Sequence, residues 1–124
     1  MTPRRFDLDP MAKPRMTQSD KWNLRPPVVR YRAYCDHLRL LAGMWKVPSG
    51  GITVVFRIPM PRKWRKRERE VRKGQPHQQK PDIDNLLKGF LDALCECDAH
   101  IYDVRAMKCW DERGAIEVYE KEAA

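Results

Sequence analysis

No apolar run in this chain approaches the length of a membrane span. Met1 to Arg5 is basic, but Phe6-Asp7-Leu8-Asp9-Pro10 follows where a signal peptide would have its apolar stretch. The protein is therefore expected to stay in the cytoplasmic compartment where it is made. A second C-x-x-C pair is also missing. Cys95, Cys97, His100 and Cys109 do not have a standard zinc spacing, and in a reducing compartment the four cysteines are expected as thiols. Internal repeats and targeting tags are absent too.

What is present is charge of one sign. The 124 residues carry 25 Lys and Arg against 17 Asp and Glu, a net charge of +8 and a pI near 9.6. The length suits one domain spanning residues 1–124, and the excess of cations suits a polyanionic partner. The positive charge is concentrated in two places. Residues 1–27 form a basic, proline-bearing entry segment in which Phe6 and Leu8 alternate as a short strand. Lys13 and Arg15 sit there in a loop that either wanders in solvent or touches phosphates, and the loop continues past Trp22. Residues 62–80 form a basic arm and loop with Arg62, Lys63, Arg65, Lys66, Arg67, Arg69, Arg72, Lys73 and Lys80. Such a run is either a solvated helix or a phosphate-binding arm, and Trp64 either anchors it to the core or stacks on a base.

Between and beyond these stretches the patterning is that of an α+β domain, a small mixed sheet with two main helices. Val28, Tyr31, Cys35, Leu38 and Leu41 recur at helical spacing after Pro26-Pro27, and Gly43 ends that helix. Ile52 to Ile58 reads as a central strand covered on both faces. Ile101 to Lys108 reads as another strand, with Tyr102, Val104, Ala106 and Lys108 on one side. Trp110 to Gly114 reads as a hairpin turn into a last strand, Ala115 to Tyr119, and the tail from Glu120 as frayed.

The chemistry-bearing stretch is Lys80-Pro81-Asp82-Ile83-Asp84-Asn85-Leu86-Leu87-Lys88. Asp82 stands at the N-cap of a helix whose apolar stripe is Leu86, Leu87, Phe90, Leu91 and Leu94. Two aspartates at i and i+2 inside a helix point apart. With Asp82 as a non-helical cap and Asp84 in the first turn, they converge beyond the helix end. Two anions so close call for a hard divalent cation. The same pattern equally serves a plain helix start, because both positions favour acids. Lys88 either pairs with Asp84 or reaches a phosphate oxygen, and Asp92 is expected to pair with Lys88.

The run K-P-D-I-D-N-L-L-K-G-F-L-D-A-L, followed by D-A-H-I-Y-D-V-R-A-M-K, resembles the RusA family of Holliday-junction resolvases, small endodeoxyribonucleases common in phages and prophages. P-M-P-R-K-W-R-K-R-E-R-E, G-Q-P-H-Q-Q-K and K-P-R-M-T-Q-S-D-K-W are similar to the phage-type branch, so the likeness covers nearly the whole chain. The resemblance implies a homodimeric bacterial, DNA-associated enzyme that hydrolyses phosphodiesters with Mg²⁺ (Mn²⁺ as substitute) and acts on four-way DNA junctions. It needs no small-molecule cofactor and no membrane. It places the catalytic acids and metal ligands on Asp82, Asp84 and Asp98, and the essential lysine on Lys88. The chain departs from the family at Cys97-Asp98, where two consecutive acids are usual, which leaves Asp103 as a secondary candidate. Asn85 is a second secondary candidate, for orienting a carboxylate. His77 and His100 are not expected in the chemistry. Two other classes remain open, a non-catalytic basic DNA-binding module and a nuclease for flaps, forks or duplex.

Overall fold

A computed structural model describes residues 3–15 and 25–121. The basic loop from Met16 to Leu24, Trp22 included, and the tail beyond Lys121 lie outside the described residues. The elements run β1 (Arg4–Phe6), α1 (Pro26–Ala42), β2 (Gly50–Pro59), α2 (Lys66–Arg72), α3 (Ile83–Leu94), β3 (Asp103–Asp111) and β4 (Ala115–Glu120). The expected mixed sheet with two main helices is what forms, and a short third helix, α2, is built from the basic arm.

The four strands lie in the order β1-β4-β2-β3, with β2 parallel to β3 and antiparallel to β4. This corrects the hairpin expected at Trp110 to Gly114. β3 and β4 are not neighbours, because β2 lies between them. A three-residue link easily spans two inter-strand spacings of about 4.8 Å. Local turn residues therefore cannot tell a tight hairpin from a hop over a third strand. Glu120, expected in the frayed tail, pairs with Ile52.

β2 buries alternate residues only. Ile52, Val54, Phe56 and Ile58 enter the core, while Thr53, Val55 and Arg57 on the other face are half-buried. The expectation of cover on both faces is thus corrected, since α1 and α3 contribute to one core on one side of the sheet. On the open face Glu117 is buried beneath Arg57 and Arg5, which both donate to its carboxylate.

α1 starts with prolines in its first turn and ends at Gly43, whose φ of 58° suits glycine. Its buried stripe is Val28, Tyr31, Tyr34, Cys35, Leu38 and Ala42. Leu41, expected in the stripe, is 36% exposed. The i+3/i+4 progression has reached Ala42 by that turn. α3 buries Leu86, Gly89, Phe90, Leu91 and Ala93. Phe90 meets Phe6 and Phe56 edge-on at 5.8 and 6.3 Å, and Tyr31 donates its hydroxyl to the Gly89 carbonyl at 3.0 Å. A side chain at Gly89 would stand 3.0 Å from the Lys13 nitrogen and the Met11 oxygen, so glycine there lets the entry segment lie directly on α3.

Candidate functional site

Asp82 is the N-cap of α3, with an extended backbone at φ −70° and ψ 145°, yet its side chain makes no capping hydrogen bond. The helix start is closed by its backbone instead, as the Leu86 N–H donates to the Asp82 carbonyl at 3.1 Å. Asp84 follows in the first turn. Both residues are exposed, and among the described residues neither carboxylate makes a hydrogen bond or ion pair. A carboxylate whose local use would be capping is thus left unused at that task.

The chain reaches Asp82 along the edge of β3. His77 N–H donates to the Lys108 carbonyl at 3.2 Å, and Gly74 N–H and the Gln75 carbonyl bond to Trp110 at 2.8 and 3.0 Å. The Lys108 ammonium donates to the carbonyls of Gln79 at 2.5 Å and Pro81 at 2.7 Å. The Lys80–Pro81 peptide is cis. Lys108, which the sequence left between DNA contact and solvent, is therefore spent on holding the loop that delivers Asp82. A lysine on the helix-facing side of a strand, in line with Val104 and Ala106, was the available signal. Lys108→Met, which keeps the stem and removes the donors, should leave the fold intact. It should speed amide exchange over residues 79–85 about 10- to 100-fold. Exchange mass spectrometry of wild type beside the variant checks this.

His77 is 4% exposed, with its ring 4.3 Å from Trp110 and no partner for Nδ1 among the described residues. Burial, and then the nearby Lys108 charge, hold its pKa below the ordinary value. Its unfolded form binds a proton more readily than its folded form. Stability is therefore unaffected well above the ordinary histidine pKa of about 6.5 and falls as pH drops through it. Urea unfolding of wild type and His77→Gln between about pH 7.5 and 5 should show an acid-side loss in the wild type that the variant lacks.

A second strap crosses α3 from the entry segment. Lys13 N–H donates to the Asn85 carbonyl at 3.2 Å, and its ammonium pairs with Asp92 at 2.6 Å. The expected Lys88–Asp92 pair is thereby corrected: Asp92 takes a partner distant in sequence, and Lys88 has none among the described residues. Lys13, Pro14, Arg15, Asn85 and Lys88 line an open cleft of about 420 Å³. Arg15 is exposed, and Arg25 donates to its carbonyl at 2.9 Å.

The arm is pinned at one end. Trp64 packs on Trp110 at 4.8 Å, with Arg72 over its ring at 5.6 Å, so this tryptophan anchors the arm to the core. Arg69 donates to the Pro61 carbonyl at 2.9 Å. Arg62, Lys63, Arg65, Lys66, Arg67 and Lys80 are exposed.

Asp98 is not brought to the aspartate pair within one chain. It lies beyond the C-terminus of α3, where burial and then its negative charge push the Cys95 thiol pKa up. Twelve helical residues separate the two ends by about 18 Å. Asp103, at the start of β3, lies at that same far end. Among the described residues no three His, Cys, Asp or Glu side chains gather as a metal site. The donor chemistry of Asp82 and Asp84, hard oxygens without a protein cation, fits magnesium or manganese, and among the described residues of one chain these two are only part of a coordination set. No helix of the described residues is long and apolar enough to cross a membrane.

The family model described as Endodeoxyribonuclease RusA matches residues 7–119. No curated protein and no solved structure matches the chain.

Proposed function

This chain belongs to the RusA endodeoxyribonuclease family, and from that premise we propose a homodimeric, magnesium-dependent resolvase that hydrolyses one phosphodiester in each of two opposed strands of a four-way DNA junction. The observation that carries the reading is the N-cap carboxylate of Asp82, which does not cap. It stands with Asp84 at the start of the helix that gives Asn85 and Lys88 to a cleft lined also by Lys13 and Arg15. Manganese is the expected substitute, and the setting is the bacterial cytoplasm, from a prophage-type gene.

When bound, a divalent cation supplies positive charge to the attacking and leaving oxygens and makes water a better nucleophile. Asp82 and Asp84 would hold it, and Asp98, with Asp103 as its alternative, would join them only from the second copy of the homodimer. Lys88 faces the scissile phosphate and neutralises charge that develops on its oxygens. The Asn85 side chain, in the same cleft, orients a carboxylate. Arg15, Arg62, Lys63, Arg65, Lys66, Arg67 and Lys80 hold the arms through phosphates, while Lys13 and Arg69 shape the surface through their internal bonds. The two-fold symmetry of the dimer matches that of the junction and sets two cuts.

That no third carboxylate joins the pair among the described residues of one chain favours one rival, a DNA-binding module without catalysis. A nuclease for other branched DNA is the second. Cleavage of four-way junction, fork, flap and duplex side by side separates all three. The resolvase nicks the junction in symmetric pairs, the second rival prefers another substrate, and the binding module nicks none.

A further inference from the structure

A cleft of about 910 Å³, more than twice the 420 Å³ of the one beside Lys88, opens where three strand ends meet. β1 stops at Phe6, β2 stops at Pro59 and β4 starts at Ala115. Pairing sets Phe6 beside Ile116 and Arg57 beside Ala115. The walls are held by backbone. The Met60 N–H donates to the Asp111 carbonyl at 2.9 Å. A side chain at Gly114 would stand 2.6 Å from the Asp9 Cα, so glycine there lets the 112–114 link lie directly on the entry segment.

The lining is chemically mixed. Two of its arginines are already committed: Arg5 donates to Asp7 at 2.8 Å and to Glu117 at 3.0 Å, and Arg69 to the Pro61 carbonyl at 2.9 Å. Arg62 and Arg113 are exposed, as are Asp9 and Glu112. Among the described residues none of these four side chains makes a hydrogen bond or ion pair. Half-buried Leu8, Pro59 and Pro61 supply an apolar wall.

We propose that this cleft takes one unpaired nucleotide, with its phosphate on Arg62 and Arg113, its base against the apolar wall, and the edge of the base donating to Asp9 and Glu112. That the nucleotide belongs to branched DNA rests on the nuclease reading above, whereas the nucleotide site stands without it.

A phosphate chain alone does not account for the four free groups. Guanidiniums suit phosphate oxygens, which they hold two at a time. A carboxylate only accepts, and at close range it repels a phosphate. Its use is toward a donor, and within a DNA strand the donors are the N–H groups of the bases. In duplex, base pairing consumes most of them. An unpaired nucleotide turns that edge outward, which is how single strands are read. Phosphate oxygens at one end, a flat apolar body, and N–H donors at the other end describe a nucleotide whose base is unpaired. The volume falls among pockets that hold small ligands, about 300–1,000 Å³. By contrast, Lys13, Pro14, Arg15, Asn85 and Lys88 line their cleft without a carboxylate, as suits a phosphate backbone.

The two clefts are joined by the entry segment. Four residues separate Asp9 from Lys13, at most about 14 Å of chain. A stacked strand rises about 3.4 Å per nucleotide, so the bound nucleotide lies about four positions from a phosphate at Lys88. Stacking is interrupted at a branch point, and turning a base out there costs less than in continuous duplex. The cleft thereby adds a preference for branched DNA that phosphate contacts alone do not give.

Amide spectra of the ¹⁵N-labelled full chain, recorded in chelator, test the site with dAMP, deoxyribose 5-phosphate and inorganic phosphate. dAMP should shift the amides of Met60, Glu112, Arg113 and Gly114, and bind at least tenfold tighter than deoxyribose 5-phosphate. Asp9→Ala/Glu112→Ala should weaken dAMP at least fivefold while inorganic phosphate binds equally or more tightly. Arg62→Gln/Arg113→Gln should weaken all three. The four side chains are exposed, so both double variants should keep the wild-type spectrum elsewhere. Equal affinity for dAMP and deoxyribose 5-phosphate, carboxylate removal that strengthens dAMP binding, or shifts confined to the Lys88 cleft overturns the proposal.

Displacement separates the two sources of the nucleotide. In the same chelator, a four-way junction should release dAMP from the cleft at concentrations at least tenfold below those of duplex of equal length. A junction no better than duplex, with dAMP bound in the cleft, overturns the assignment to branched DNA and leaves a site for free mononucleotides. A junction that releases dAMP but is never nicked once Mg²⁺ is added removes the nuclease reading and leaves the nucleotide site standing.

Discussion

Asp84→Asn should lose about 10³-fold in junction cleavage, equivalent to about 4 kcal/mol of transition-state stabilisation, while binding the junction as tightly as wild type or more so. The change is isosteric and lies on an exposed first-turn position with no partner to lose among the described residues. Folding should therefore be nearly unaffected, within about 0.5 kcal/mol. What disappears is one negative oxygen for a hard cation, together with a repulsion toward DNA phosphates. The split between intact binding and absent cleavage is the informative part. A carboxylate that served only the helix start would cost a few tenths of a kcal/mol in stability through the macrodipole and leave every DNA readout unchanged. Gel-shift and cleavage assays on the same preparation check the split.

Phe90→Ala should cost about 3–5 kcal/mol of stability and lower the melting temperature by about 10–20 °C. Phe90 is fully buried and joins α3 to β1 through Phe6 and to β2 through Phe56. Because Asp82, Asp84 and Lys88 ride on that helix, the variant should cleave normally when cold and fail as it melts, a loss of folded fraction and not of chemistry. Calorimetry beside a temperature series of cleavage separates the two. A variant that stays folded at wild-type temperatures yet does not cleave would contradict this account of α3 as a rigid carrier.

The parts of this structure that depend on local pattern were legible in the sequence. The apolar stripe from Leu86 to Leu94 and the Pro81-Asp82 start define α3, and the β-branched run from Ile52 defines β2. What could not be read depends on contacts distant in sequence. Asp92 looked committed to Lys88 because they are four residues apart, but Lys13 reaches it from 79 positions away. The turn before Ala115 carries the same residues whether or not β2 slides between the strands it joins. Lys108 looked like any surface lysine until the loop carbonyls of Gln79 and Pro81 were seen to converge on it. The D-x-D pair and Lys88 were visible as a motif, and the resemblance to RusA enzymes gave them their meaning. The distance from that pair to Asp98 was not visible, because a helix of twelve residues sets it.

The most direct test of the central claim is cleavage of an end-labelled four-way junction by the wild-type protein, with Mg²⁺ and with chelator, against duplex of the same sequence. Paired nicks at symmetry-related positions of the junction, dependent on the metal and far slower on duplex, are the predicted result. Tight binding of the junction without a nick at any Mg²⁺ or Mn²⁺ concentration would contradict it.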